Sequence, residues 1–142
     1  MVKPGSIVHV EIHSADPAKS KQFFGEVFRW KFMDIPEMNY STFEAPTPPH
    51  GGLMAPMENM PPQVLNYILC EDIEETVRKI EAAGGAILTP KTEITGIGWF
   101  AVFREPGGTS QALLQALPRP RAARPRAKPR KSAKKAGRRR RK

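Results

Sequence analysis

The sequence has a single cysteine, no long apolar run and no acidic residue in its last 25 positions. The lone thiol, Cys70, excludes a disulfide framework and a thiolate metal cluster, and we expect it to be a small buried apolar residue. No apolar segment approaches the roughly 18 residues that span a bilayer, and the first residues lack the apolar stretch of a secretory signal. These absences predict a cytoplasmic protein whose fold depends on one hydrophobic core.

Acidic and aromatic residues are both missing from residues 118–142. This segment contains 14 of the 23 Lys and Arg residues, which leaves 9 basic against 14 acidic side chains in residues 1–117. Alanine is its only aliphatic residue, so it buries too little apolar surface to offset the entropy of ordering. The composition predicts one domain at 1–117 and a disordered basic tail at 118–142.

The basic tail is typical of non-specific binding to nucleic acid phosphates, with a place at the nucleoid, or in the nucleus of a eukaryotic host. Because it has no aromatic residues, stacking on single-stranded bases is not expected. An anionic membrane surface, the acidic domain of the protein itself and a nuclear import receptor are the alternatives. The candidate phosphate contacts are Arg130, Lys131, Lys134, Lys135, Arg138, Arg139, Arg140 and Arg141.

The first half of the domain begins with a strand and a helix. Ile7–His13 alternates apolar and polar residues, which predicts a strand with one packed face and one polar face. Asp16-Pro17 then predicts a helix start, because Asp is a good N-cap and Pro suits the first helical position. The apolar stripe of this helix is expected to consist of Phe23, Phe24, Val27 and Phe28.

The same plan returns 56 residues downstream, which indicates an internal repeat. Val64–Cys70 predicts a strand, and Asp72, at Asp16 plus 56, predicts the start of a helix that ends at Gly84-Gly85. Three short strands are predicted after each helix. They are Trp30–Ile35, Asn39–Glu44 and Gly52–Met54 in the first half, and Ala86–Thr89, Gly98–Arg104 and Ser110–Leu117 in the second.

Each half therefore reads βαβββ, with modules at about 6–57 and 62–117. One helix covers only one face of its sheet, so the two uncovered faces are expected to form a cupped, incompletely closed barrel of the α+β class. The polar face of the first strand would then line the cup.

His9, Glu11 and His13 are the candidate functional residues on that face. Alternate residues of a strand lie about 7 Å apart in one row, so His9 and Glu11 are candidates for proton transfer and His9 for metal binding. The alternative is a hydrogen-bonded structural patch. His50 lies in a proline- and glycine-rich turn and is either an exposed loop residue or a further ligand.

Other residues are candidates for a ligand pocket, together with His13. Met54 begins the methionine-rich segment 54–60, which is either an adaptable lip over an apolar ligand or a connector between the modules. Trp99 either lines the pocket or belongs to the core.

Several segments resemble the vicinal oxygen chelate superfamily, which contains glyoxalase I, extradiol dioxygenases and the bleomycin and fosfomycin resistance proteins. The resemblance covers essentially all of residues 6–117. Its motifs are Ile7–Glu11, Asp16-Pro17 through Phe23–Phe28, Trp30-Lys31-Phe32, Glu71–Gly85 and Arg104–Gly108.

The resemblance implies a small-molecule site, and in metal-dependent members four side chains of the cup bind a divalent ion. Only His9 matches such a ligand position here. The other three positions fall near Gly52–Met54, at Leu65 with Asn66 beside it, and near Ala112, none of which offers a carboxylate or an imidazole. A bound divalent metal is therefore not supported by a full ligand set.

Three functions remain open from the sequence. The first is a glyoxalase-like or resistance-like protein that binds or transforms a small molecule, as a lyase or dioxygenase if it is an enzyme. The second is a metal-free, non-catalytic ligand-binding protein, and the third is a nucleic-acid accessory protein with a vestigial cup. The resemblance also implies a homodimer, since single-domain relatives commonly pair.

Overall fold

The chain forms one curved eight-stranded sheet with two helices in a computed structural model that describes residues 2–118. The strand order is β2-β3-β4-β1-β5-β8-β7-β6, so β1 and β5 lie at the centre and β2 and β6 at the edges. The strands are Ile7–His13 (β1), Lys31–Ile35 (β2), Tyr40–Glu44 (β3), Gly51–Met54 (β4), Gln63–Leu69 (β5), Ala86–Ile94 (β6), Gly98–Arg104 (β7) and Ser110–Ala116 (β8).

The predicted βαβββ repeat is confirmed. The helices are Pro17–Phe28 (α1) and Ile73–Ala82 (α2), and a short 3-10 helix, Pro36–Met38, lies between β2 and β3. Within each module the first and last strands pair in parallel, and the two modules join through antiparallel pairing of β1 with β5. The cup is an open sheet that does not close into a barrel, which agrees with the incompletely closed barrel predicted from the sequence.

Both helices begin at the predicted caps. The Asp16 carboxylate accepts a hydrogen bond from the Lys19 backbone N–H at 3.1 Å, and Asp72 caps α2 in the same way through Glu75. These caps satisfy backbone N–H groups that have no partner inside the helix.

The outer face of the second module contains a packed apolar core. Ile73 of α2 lies fully buried against Ala101, Phe103 and Leu113 of the sheet, and Cys70 belongs to the same cluster. The pKa of the Cys70 thiol is raised, and burial is the main cause. The expectation of a small buried apolar residue is confirmed.

Helix α1 is less covered than its sequence pattern predicts. Phe24 stacks on Trp30 with ring centroids 4.8 Å apart, and Trp30 stacks on Phe43 at 4.4 Å, which holds the helix on the sheet. However, Phe23 is 54% exposed and Val27 55% exposed, and α1 has no buried residue. The expected stripe therefore divides, because Phe24 turns toward the sheet while its neighbours face outward.

One strand is longer than the sequence predicts. Strand β6 extends to Ile94 instead of ending at Thr89, because it continues to pair with β7 beyond the irregularities around Thr89 and Thr92. From residue 119 onward the predicted disordered tail lies outside the described residues. Within the described part of the chain, none of the helices is long and apolar enough to span a membrane.

Candidate functional site

The polar row of β1 lies on the inner face of the cup, at the centre of the sheet. Residues directly opposite each other in an antiparallel ladder share a face. His9 lies opposite Tyr67 of β5 and Glu11 opposite Leu65, so these side chains line one surface. The alternation read from the sequence thus predicts the inward face of His9, Glu11 and His13 correctly.

Glu11 is the centre of a buried hydrogen-bond cluster. Its Oε1 lies 2.7 Å from Nε2 of His13 and accepts a hydrogen bond from the Tyr67 hydroxyl at 2.9 Å. Its Oε2 accepts a hydrogen bond from the Tyr40 hydroxyl at 2.9 Å. Glu11 is 5% exposed and His13 is 2% exposed, so the cluster is shielded from water.

These donors keep the buried carboxylate ionised. Burial alone raises the pKa of Glu11, but hydrogen bonds from His13, Tyr67 and Tyr40 outweigh it and lower the pKa below its ordinary value. The pKa values of both tyrosines are strongly raised, first by burial and then by the nearby Glu11 charge. The stable arrangement is therefore one carboxylate with two protonated tyrosines.

His9 is linked to this cluster through Tyr40. Its Nε2 lies 2.8 Å from the Tyr40 hydroxyl oxygen, and its ring meets the Tyr67 ring edge to face with centroids 5.3 Å apart. Burial lowers the pKa of His9, although the Glu11 charge partly opposes this. His9 is therefore a neutral imidazole at neutral pH.

The protons of the chain fix the tautomer of His9. Tyr40 has one hydroxyl proton, and the ionised Glu11 can only accept, so that proton lies between Tyr40 and Glu11. The Tyr40 oxygen then accepts from His9, which requires the proton of neutral His9 to be on Nε2. Nδ1 consequently carries a lone pair. Within residues 2–118 it makes no hydrogen bond, and it is not completely buried.

Glycine at position 52 is required for Tyr40 to reach this place. Gly52 lies beside Glu11 in the β1–β4 pairing. A Cβ atom built at residue 52 would collide with the hydroxyl oxygen and ring of Tyr40. The absent side chain leaves the space in which the Tyr40 hydroxyl joins His9 to Glu11.

A cavity of about 510 Å³ opens beside His9, on the cup face of the first module. Apolar and polar residues both line it, among them His9, Lys31, Met33, Thr42, Glu44 and His50. His50 is half-buried there, and its Nδ1 accepts a hydrogen bond from the Ala45 backbone N–H at 3.2 Å. The interpretation of His50 as an exposed loop residue is wrong, because the turn folds back onto the sheet.

On the cup face of the second module, apolar side chains pack against one another. Leu65, Tyr67, Val102 and Ala112 form a buried cluster, and Met57 from the connector packs against it. Met57 of the segment 54–60 therefore covers part of this apolar cluster.

The side chains at the four expected metal positions do not fit a divalent ion. Leu65 and Ala112 are fully buried apolar residues, and Gly52 is covered by the Tyr40 hydroxyl. Residues 2–118 contain no group of three His, Cys, Asp or Glu side chains arranged to bind a metal. Such ions need three or four protein donors, and His9 supplies one imidazole whose Nε2 is already bonded.

The other predicted site residues are divided between two faces. His13 is buried behind Glu11, and Met54 lies beside it in the β1–β4 register. Trp99 does not join them, because it packs against the outer core cluster near Cys70. The predicted phosphate contacts, Arg130, Lys131, Lys134, Lys135 and Arg138–Arg141, lie outside the described residues.

Tyr40 and Tyr67 belong to the candidate site, and the sequence analysis missed both. A signal existed for Tyr67, since it alternates with Leu65 on the predicted strand and falls 56 residues after Glu11. Tyr40 had no local signal, because its position depends on β3 packing beside β4 at Gly52.

The fold and part of the sequence are similar to those of known proteins. Residues 6–46 match the family model described as "Bleomycin resistance protein-like N-terminal". The described residues have the βαβββ repeat and the open cup implied by the resemblance to the vicinal oxygen chelate superfamily, and the first module is similar in sequence to this bleomycin resistance protein-like family. A crystal structure of a glyoxalase/bleomycin resistance protein/dioxygenase superfamily member from Vibrio splendidus 12B01 aligns with a TM-score of 0.58 at 16% identity, covering 76% of this chain and 96% of that chain.

Two curated relatives are more similar in sequence. Over 115 residues the chain is 27% identical to "Putative glyoxylase CFP32" of Mycobacterium tuberculosis, covering 75% of this chain and 44% of the relative. Over 128 residues it is 25% identical to "Anthracycline biosynthesis protein DnrV" of Streptomyces peucetius, covering 78% of this chain and 46% of the relative. The chain thus spans less than half the length of these relatives.

Proposed function

We propose that the chain is a metal-independent protein that binds a small molecule in the cavity beside His9 and accepts a proton from it at Nδ1 of His9. The observation that carries this proposal is the hydrogen-bonded chain from His9 through Tyr40 to Glu11. The names of CFP32 and DnrV, which refer to glyoxylase and to anthracycline biosynthesis, agree with small-molecule chemistry.

The chain of hydrogen bonds supports proton transfer for an electrostatic reason. When His9 takes up a proton at Nδ1, the imidazolium donates from Nε2 to Tyr40, which in turn donates to the Glu11 carboxylate. The buried negative charge therefore stabilises the protonated ring without being exposed to water. Because its pKa is lowered, His9 is unprotonated at neutral pH and available as a base.

Replacing Tyr40 with phenylalanine is expected to release the tautomer of His9. The chain has only three histidines, so long-range proton–nitrogen NMR of the full-length protein resolves each ring. We expect Nε2-protonated His9 in the wild type and a mixture of tautomers in Tyr40→Phe. Tyr67→Phe is the matched control, since it also removes a hydroxyl from Glu11 but none from His9.

Two outcomes would contradict the proposal. One is an unchanged His9 tautomer in Tyr40→Phe. The other is stoichiometric divalent metal that stays bound during dialysis of the full-length protein and is lost with His9→Ala.

Hydrogen exchange in D2O tests the chemistry directly, with a pool of small ketones and thioesters as substrates. Protein-catalysed exchange of their acidic C–H groups should fall about 100-fold or more in His9→Ala.

We also propose that the chain forms a homodimer through the outer side of α1. Phe23 and Val27 are more than half exposed there, and Phe28 is 50% exposed, so pairing would remove a continuous apolar surface from water. A twofold pair brings two basic tails together, which raises avidity for a polyanion. Sedimentation of the full-length protein tests this, with a dimer mass expected.

The basic tail is proposed to bind nucleic acid, and the supporting observation is its 14 positive charges without an acid. Replacing Arg130, Lys131, Lys134, Lys135 and Arg138–Arg141 with Gln in the full-length chain should reduce the salt dependence of duplex DNA binding. The magnitude of the slope of log K against log salt should decrease by up to about 7, because eight residues are replaced and each neutralised phosphate contributes about 0.9.

Two exposed lysines of the domain, Lys19 and Lys79, provide the control for this experiment, and their replacement by Gln should leave the slope nearly unchanged. Equal slopes for the tail variant and the wild type would exclude binding through the tail. Cytoplasmic location and association with the nucleoid stay predictions that depend on this result.

A further inference from the structure

The cavity beside His9 contains a second histidine whose tautomer is also fixed. The Ala45 backbone N–H donates to Nδ1 of His50, so Nδ1 carries the lone pair and the proton of neutral His50 lies on Nε2. Within residues 2–118 Nε2 of His50 makes no hydrogen bond, and it is not completely buried. His50 therefore has an N–H group available to a ligand in the cavity that it lines.

The two histidines have opposite roles toward a ligand. His9 presents a lone pair at Nδ1, since its Nε2 is bonded to Tyr40, while His50 presents a donor. A ligand held by both needs an acceptor atom for His50 and an acidic proton for His9. A carbonyl compound with an acidic proton next to the carbonyl has this pattern.

The charges at the rim favour a neutral ligand. Lys31 and Glu44 lie directly opposite each other on β2 and β3, so the cavity is lined by one positive and one negative side chain and has no net charge from this pair. The nearest buried charge is the Glu11 carboxylate, which disfavours an anion beside His9. A carboxylate or phosphate ligand is therefore less well matched than a ketone, thioester or amide.

We propose that His50 is the residue that positions the ligand, by donating from Nε2 to a neutral carbonyl oxygen while His9 faces the adjacent acidic proton. The proposal rests on the function proposed for His9. In the proton-transfer step the C–H electron pair moves toward the carbonyl carbon, the proton moves to Nδ1 of His9, and the oxygen that gains charge stays hydrogen-bonded to His50. Reprotonation by His9 restores both groups.

Two variants of His50 separate the positioning role from a merely structural one. In His50→Asn the side-chain oxygen can still accept from Ala45, but the Nε2 donor is lost. In His50→Gln the longer amide places an N–H near the position of Nε2. A structural role would be preserved best by the first variant, and a ligand-binding role by the second.

The experiment is a titration of the full-length protein with cyclohexanone, followed through the His50 ring resonances and backbone amides of the cavity. We expect saturable binding in the wild type, a Kd about 5-fold higher in His50→Asn, and a Kd near the wild-type value in His50→Gln. Thermal unfolding of each variant checks that the fold is retained. No saturable binding, or equal Kd values for the wild type and His50→Asn, would overturn the assignment.

The outcome distinguishes this inference from the function on which it rests. In one case His9 keeps its Nε2 proton only when Tyr40 is present, but the Kd for the ketone is the same in the wild type and in His50→Asn. Only the positioning role of His50 is then wrong. If Tyr40→Phe leaves His9 unchanged while ketone binding depends on His50, the cavity recognises a carbonyl and the proton-transfer proposal is wrong.

Discussion

Replacing Glu11 with alanine is expected to lower the free energy of unfolding by about 3–5 kcal/mol. The substitution leaves the His13 ring and the Tyr40 and Tyr67 hydroxyls without their shared acceptor in a site that water does not reach. A buried donor without an acceptor costs its full desolvation. Urea unfolding followed by circular dichroism measures the loss.

The contribution of Glu11 should also depend on pH, with a sign that follows from its pKa. The folded-state pKa lies below the ordinary value of 4.5, so the stabilisation is fully present above about pH 4.5 and is lost as the pH falls through the folded-state pKa. The gap in stability between the wild type and Glu11→Gln should therefore be constant near neutral pH and shrink in acid.

An exposed carboxylate supplies the control for both measurements. Glu37, on the short 3-10 helix, is exposed, and Glu37→Ala should change stability by no more than about 0.5 kcal/mol. A loss below about 1 kcal/mol in Glu11→Ala would show that the cluster is not the buried network described above. It would also remove the electrostatic basis for His9 as a base.

The second large effect is expected from Gly51→Ala, which should lower stability by about 3 kcal/mol. A Cβ atom at this position would collide with the carbonyl oxygen of Val10, its neighbour in the parallel β1–β4 pairing. The backbone cannot move away freely, because the Val10 N–H is bonded to the carbonyl of His50 at 3.2 Å. Any relief displaces His50, so ketone binding should weaken as well.

Gly25→Ala is the matched control for this prediction. Gly25 lies inside α1, and the nearest atom to a new Cβ would be the Trp30 carbonyl oxygen at an ordinary 3.7 Å. Alanine is a better helix former than glycine, so stability should rise by about 0.5–1 kcal/mol. Equal effects of the two substitutions would contradict the close packing of β4 on β1.

A hydrogen-bond network occupies the part of the cup where metal-dependent relatives have their ligands. At the position where a metal-dependent relative would present a donor from β4, this chain has Gly52, and the Tyr40 hydroxyl fills the space. Hydrogen bonds to a buried carboxylate are stronger than those between neutral groups. The cup of this chain therefore contains a polar centre that is ordered by hydrogen bonds among its own side chains.

Much of the fold followed from local patterns in the sequence. Period-2 alternation located β1, and the caps at Asp16 and Asp72 located both helices, because N-capping depends only on residues within one turn. The 56-residue repeat supplied the architecture. The inward row of His9 and Glu11 followed too, since the side-chain direction in a strand is fixed by its period.

The assembly of the site depends on contacts between residues that are far apart in the sequence. Tyr40 reaches Glu11 from 29 residues away and Tyr67 from 56, and each contact depends on the register between different strands. The turn that places His50 in the cavity folds back only because β4 pairs with β1. The alternation along β1 was enough to place His9, Glu11 and His13 on the inner face, whereas long-range packing decided which side chains they contact and which nitrogen of His9 stays free of a hydrogen bond within residues 2–118.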